Sequence, residues 1–159
     1  MIEKTTGKYL EYLIHGYYDG LIRLKQKNNP SDAECEDLYA LGYNQFTIGN
    51  YKAAKDIFIL LTTIAPYTNH YWRAYGAVNQ QMENYEEAIA GYDMALANDS
   101  RDIVSHVYRS ECLIMSEKEK DAIKNLEEIL TNPNLNTPSP WLDRAKLLLA
   151  AQQKKEVKK

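Results

Sequence analysis

Hydrophobic and polar positions recur along this chain with the helical period, and the whole pattern then recurs at a longer one. The run LYALGYNQFTIGNYKAAKDIFILLTTIAP, Leu38 to Pro66, reads as two apolar-faced helices broken at Gly49-Asn50 and stopped at Pro66. A second copy, WRAYGAVNQQMENYEEAIAGYDMALANDS, follows about 34 residues later, the tetratricopeptide period, and a worn third copy begins near His106. Gly42 aligns with Gly76 and Ser110, Ala54 with Ala88 and Ala122, Phe58 with Tyr92 and Leu126, and Leu38 with Trp72. Small residues at the first two sets let paired helices approach closely, and the third set fills the seams. One pair cannot bury its own apolar face, so stability must come from stacking.

These signals predict helices near 32–47, 51–64, 69–82, 85–98, 102–115 and 119–131. Ser31 with Glu34 reads as a capping box opening the first. The expected fold is all-α: a tetratricopeptide-repeat solenoid of three helix pairs over 31–134, with an N-terminal helix and a C-terminal capping helix. The third pair is less regular, because Arg109 stands where the first copy has Leu41 and Ser110 stands where glycine is expected. Ser139-Pro140 reads as N-cap and first turn of the closing helix, placed in 135–153, whose stripe is Trp141, Leu142, Ala145, Leu148 and Leu149. Residues 154–159 are expected to form a disordered basic tail. Residues 1–30 hold a further helical pattern with apolar Leu10, Leu13, Ile14, Tyr17 and Leu21, interrupted by Gly16 and Gly20. It reads either as a cap on the first repeat or as a dimerisation element.

Composition narrows the function. The 159 residues suit one domain, and a net charge of −3 argues against nucleic acid as a partner. Cys35 and Cys112 are far apart, which predicts free thiols in a reducing compartment. The first apolar run is broken by Glu11 and His15, unlike a signal peptide, and no stretch suits membrane insertion. There is no phosphate-binding glycine loop and no metal-binding motif. His15, His70 and His106 lie on separate helices without ligand spacing, and each is expected at the surface or in the groove. Cys112 has no paired base. The reading is a non-enzyme with no cofactor and no metal.

What remains is the concave side. Counting the first repeat from Cys35, the inward positions are Glu36, Tyr39, Tyr43 and Phe46, then His70, Arg73, Ala77 and Gln80, then Val104, Val107, Glu111 and Ile114. Peptide binding is expected at Tyr39, Tyr43, Phe46, Arg73, Ala77, Gln80, Val107 and Glu111. Clustered aromatics left exposed mark a binding surface. They are expected to be free of the seam, unless the N-terminal helix folds back over them. Tetratricopeptide domains that grip the C-terminal carboxylate of heat-shock chaperones use Lys, Asn and Arg. The matching positions here hold Tyr39, Tyr43, Ala74, Val104 and Tyr108, so that clamp is absent.

DLYALGYNQFTIGNYKAAKDIF and NHYWRAYGAVNQQMENYEEAIAGYDMAL resemble the first two repeats of the class II chaperones of bacterial type III secretion, and SECLI resembles part of the third. The resemblance spans roughly residues 31–130. It implies a cytoplasmic, non-enzymatic chaperone of a Gram-negative bacterium. Its groove would hold an extended P-x-L-x-x-P-like segment of a hydrophobic translocator in pockets formed by Tyr39, Tyr43 and Phe46. It also implies a homodimer formed through the N-terminal stretch. The alternative is a general tetratricopeptide scaffold that joins folded proteins through its convex face.

Overall fold

The computed structural model describes residues 30–156. Among them are seven helices and no strand: α1 Asp32–Thr47, α2 Tyr51–Ile64, α3 Asn69–Gln81, α4 Tyr85–Asn98, α5 Ile103–Met115, α6 Glu119–Thr131 and α7 Pro140–Glu156. The stretch carrying Leu10, Leu13, Ile14, Tyr17 and Leu21 lies outside the described residues.

Local chemistry explains the boundaries. Ser31 Oγ accepts from the Glu34 N–H at 3.3 Å while the Ser31 N–H donates to Glu34 at 2.8 Å, closing the capping box. Ser139 Oγ accepts from the Leu142 N–H at 3.2 Å, with Pro140 in the first turn. α7 runs to Glu156, three residues beyond the expected end at 153. Its last turn carries Lys154 and Lys155, whose charges offset the negative end of the helix dipole.

The turn inside each pair obeys one rule. The N–H groups of Asn50, Asn84 and Lys118 reach back to the carbonyls of Gln45, Asn79 and Leu113 at 2.8, 2.9 and 2.8 Å. Those of Gly49, Glu83 and Glu117 reach Phe46, Gln80 and Ile114. This double closure requires a left-handed residue after the helix. Gly49 supplies it at φ 81°, but Glu83 and Glu117 adopt φ of 60° and 59° with full side chains.

Packing follows the repeat. Phe58 and Tyr92 are fully buried against Gly42 and Gly76, where an added Cβ would lie 2.8 Å from a ring carbon. Each helix packs on the next, and α1, α3 and α5 also touch one another along one side. That side is concave, and the second helices fan outward. Three apolar clusters fill the seams, the last formed by Val107, Leu126, Ile129, Leu135, Leu142, Ala145 and Leu149 beneath α7.

The irregular third pair is closed by polar chemistry. Ser110 is fully buried, and its Oγ donates to the His106 carbonyl and accepts from Asn125 Nδ2 at 2.6 Å. His106 itself is buried, with its ring nitrogens against Asn125 Oδ1 and the Ser100 carbonyl. Its expected position at the surface or in the groove is corrected, because its ring is buried on Asn125 of α6 and the backbone of Ser100.

Asp102 pins the second pair to the third. Its carboxylate caps α5 through the N–H groups of Val104 and Ser105, and accepts from Ser105 Oγ at 2.7 Å, Asn69 Nδ2 at 3.2 Å and Arg73 Nη1 at 3.1 Å. Burial alone would raise this carboxyl. The Ser105 hydroxyl, the Arg73 guanidinium and the Asn69 amide outweigh burial and hold it below its ordinary 3.8.

Two predictions follow from these details. Glu117→Gly removes the left-handed cost of a side chain, so urea unfolding should show about 1 kcal/mol more stability. An unchanged midpoint would contradict this account of the turn. For Asp102, the folded carboxyl titrates below the unfolded one. Its contribution is therefore complete above about pH 4 and fades as pH falls through the folded value. Asp102→Asn keeps a capping oxygen but cannot titrate. The variant should be less stable at pH 7, and its acid decline below about pH 4 should be shallower than that of the parent protein.

Candidate functional site

The concave faces of α1, α3 and α5 enclose an open cavity of about 290 Å³. Tyr39, Tyr43 and Phe46 from α1 form one wall, spaced four and three residues apart so that they share a helix face. Arg73, Ala74 and Ala77 from α3 form the middle, and Val104 and Tyr108 from α5 the far wall. The buried ring of Phe58 forms the floor. Small Ala74 and Ala77 keep the middle open.

The three aromatics of α1 are not equivalent. Tyr43 is 56% exposed, and its ring stacks on Tyr39 with centroids 6.5 Å apart. Tyr39 is half-buried against Phe58, His70 and Tyr71, at centroid distances of 5.9, 5.0 and 5.7 Å. Burial pushes its phenol up, against a smaller opposing pull from Arg73. Phe46 packs on Tyr51 at 5.6 Å. The expectation that the ladder is free of the seam is therefore corrected for Tyr39 and Phe46, both packed against the first buried cluster and shared between groove and core. Tyr43 is the ring most fully presented to solvent.

Of the other expected groove residues, Arg73 and Ala77 line the cavity. Gln80 and Glu111 lie outside it, in a rung at its edge. Tyr92 donates its hydroxyl to Gln80 Oε1 at 2.7 Å, Gln80 Nε2 donates to Glu111 at 3.3 Å, and Arg144 of α7 donates to the other Glu111 oxygen. Val107 is fully buried, and its assignment to the groove is corrected: α7 covers that face of α5 and draws Val107 into the last cluster. The stripe that remains open on α5 is Val104 and Tyr108. Sequence reasoning named Val104 but not Tyr108 as a wall of the groove. The i, i+4 spacing from Val104 was the available signal.

A second rung closes the opposite edge. Tyr71 donates its hydroxyl to Glu36 at 2.7 Å, and His70 Nε2 lies 3.2 Å from the same oxygen. Burial, reinforced by the hydrogen bond to Glu36 and then by its charge, pushes the Tyr71 phenol up. The Cys112 thiol, pushed up to about 12 by burial and then by Glu111, stays protonated at neutral pH. The site thus offers aromatic and apolar walls, one guanidinium and phenolic hydroxyls, an arrangement suited to holding an extended chain.

The sequence matches the tetratricopeptide-repeat family over residues 35–67 and 70–97. The low calcium response locus protein H of Yersinia pseudotuberculosis is 25% identical over 159 residues, covering 98% of this chain and 94% of that protein. The Yersinia enterocolitica type III secretion chaperone SycD, solved in complex with a peptide of the translocator YopD, is 26% identical. It superposes with a TM-score of 0.71 over 81% of this chain and 99% of that one. SycD solved as an alternative dimer superposes equally well, covering 81% of this chain and 98% of that one at the same TM-score of 0.71 and identity of 26%. Two stretches of the chain thus match the tetratricopeptide-repeat model, and most of its length is similar to the low calcium response locus protein H and to SycD.

Proposed function

We propose that the protein is a chaperone of bacterial type III secretion that binds an extended, proline-containing segment of a hydrophobic translocator-type protein in its concave groove. The observation that carries this reading is the open aromatic cavity between α1, α3 and α5. Its homology to a chaperone solved with a translocator peptide supports the reading. A P-x-L-x-x-P-like segment is restricted before it binds, so little conformational entropy is lost on docking. Each Leu or Val side chain fully buried contributes about 1.5–3 kcal/mol before association costs. Tyr39, Tyr43, Phe46, Ala77 and Val104 supply the apolar contacts, and Arg73 the polar one. Gln80 and Glu111 frame the groove at its edge.

The work consists of binding and release, with no bond of the cargo made or broken. Held in this way, apolar segments of the cargo are kept from aggregating in the cytoplasm of a Gram-negative cell until export. Two copies associate through the N-terminal stretch containing Leu10, Leu13, Ile14, Tyr17 and Leu21. The apolar helical period of that stretch and the dimer of SycD support this part of the reading.

Tyr43→Ala should weaken binding of a proline-containing translocator peptide by about tenfold while leaving the unfolding midpoint within error, since its ring is mostly solvated. Tyr39→Ala should lower both affinity and stability. Full affinity in Tyr43→Ala, read by fluorescence anisotropy, would overturn the groove assignment. Deleting residues 1–27 should halve the mass seen by light scattering. A full-length protein that stays monomeric at high concentration would overturn the dimer.

A further inference from the structure

Arg73 makes the groove more selective than an apolar trough. Among the described residues, it is the only formally charged one that lines the cavity. Its Nη1 donates to both oxygens of Asp102 at 3.1 Å. A guanidinium has five N–H donors and no acceptor. Among the described residues, Nε and Nη2 have no protein partner, and the side chain is 35% exposed. Water serves those donors in the free protein, and a cargo that fills the cavity removes it. Charged donors left dry cost more than neutral ones, so the cargo must bring an acceptor.

The surroundings indicate which acceptor fits. Among the described residues, no Asp or Glu lines the cavity. The phenols of Tyr39, Tyr43 and Tyr108, which also line the cavity, can each donate a hydrogen bond to the same kind of acceptor. Asp102 does not satisfy the open edge. It is nearly buried, and its oxygens are committed to Ser105, Asn69 and the start of α5. Its role is to hold the guanidinium plane in place, which lowers the entropy lost when a second acceptor docks. Arg73 stands on α3, between the wall of α1 and that of α5. The clamp positions that grip a terminal carboxylate hold Tyr39, Tyr43, Ala74, Val104 and Tyr108 here.

We infer that Arg73 is a specificity-determining residue: the bound segment carries an Asp or Glu among its apolar anchors, and that side-chain carboxylate docks on the open edge of the guanidinium. This rests on the groove reading and adds a charge requirement to it. A charge-assisted contact of this kind, partly desolvated, discriminates a carboxylate from its amide by about tenfold.

The test uses the full-length protein and fluorescent P-x-L-x-x-P peptides in which each x position in turn is Glu or Gln. At one position the Glu peptide should bind about tenfold tighter than the Gln peptide, with the advantage shrinking in high salt. Arg73→Gln should abolish that ratio. Arg73→Lys, which keeps the charge but not the planar fork, should retain part of it. Should the uncompensated Asp102 impair folding, Arg73→Gln with Asp102→Asn removes both charges and keeps a capping side chain. Peptides that bind with equal affinity for Glu and Gln at every position would overturn the charge requirement and leave the groove reading standing. A ratio that survives Arg73→Gln, or an equal loss for both peptides, which would indicate a main-chain carbonyl as acceptor, would also overturn it. Failure of every peptide to bind the parent protein would overturn the groove reading itself.

Discussion

The closeness with which paired helices approach one another sets every other distance in this protein. At Gly42 and Gly76 an aromatic ring from the second helix lies where a side chain would otherwise begin. At Gly91 an added Cβ would meet the backbone of Gly76 at 2.8 Å, so that contact is made between main chains. Ala54, Ala88 and Ala122 are fully buried on the opposing helices for the same reason. Because these approaches are tight and repeat at one register, the first helices line up on one side, and the concave face follows from that alignment. A solenoid needs no central core. It needs each pair to be thin enough for the next to stack on it.

The groove inherits its width from this stacking and its rigidity from polar links. Glu36 with Tyr71 and His70, Asp102 with Arg73 and Asn69, and Glu111 with Gln80 and Arg144 join each repeat to the next. Each link has one end on a first helix, so the links lie along the concave side. Between them, among the described residues, no acidic group lines the cavity's aromatic walls. Arg73 serves both purposes, since one edge of its guanidinium ties the repeats together while the other faces the cavity.

The scaffold was legible in the sequence because a repeat states its own register. Gly42 against Gly76 and Phe58 against Tyr92 identify packing positions without any knowledge of the rest of the fold. Helix ends were legible where side-chain chemistry marks them, as at Ser31 with Glu34 and at Ser139-Pro140. The groove was legible only in part. Counting inward positions found Tyr39, Tyr43, Phe46, Arg73 and Ala77. It failed at Val107, because the count treats every first helix as equally exposed, whereas α7 lies against α5 alone among them. The same helix turns Tyr108 and Trp141 toward one another, with ring centroids 5.2 Å apart, and so sets the far wall. His106 and Ser110 were hard to read for a different reason. Polar residues in a seam look like damage until their partner Asn125, in another helix, is seen to satisfy them.

The proposed cargo site is the concave cavity between α1, α3 and α5. Amide chemical-shift mapping of labelled protein titrated with a proline-containing translocator peptide tests it most directly. Saturable shifts are expected to concentrate around Tyr39, Tyr43, Phe46, Arg73, Ala77, Val104 and Tyr108. Shifts concentrated instead on the outward faces of α2, α4 and α6, with the groove unperturbed, would contradict it.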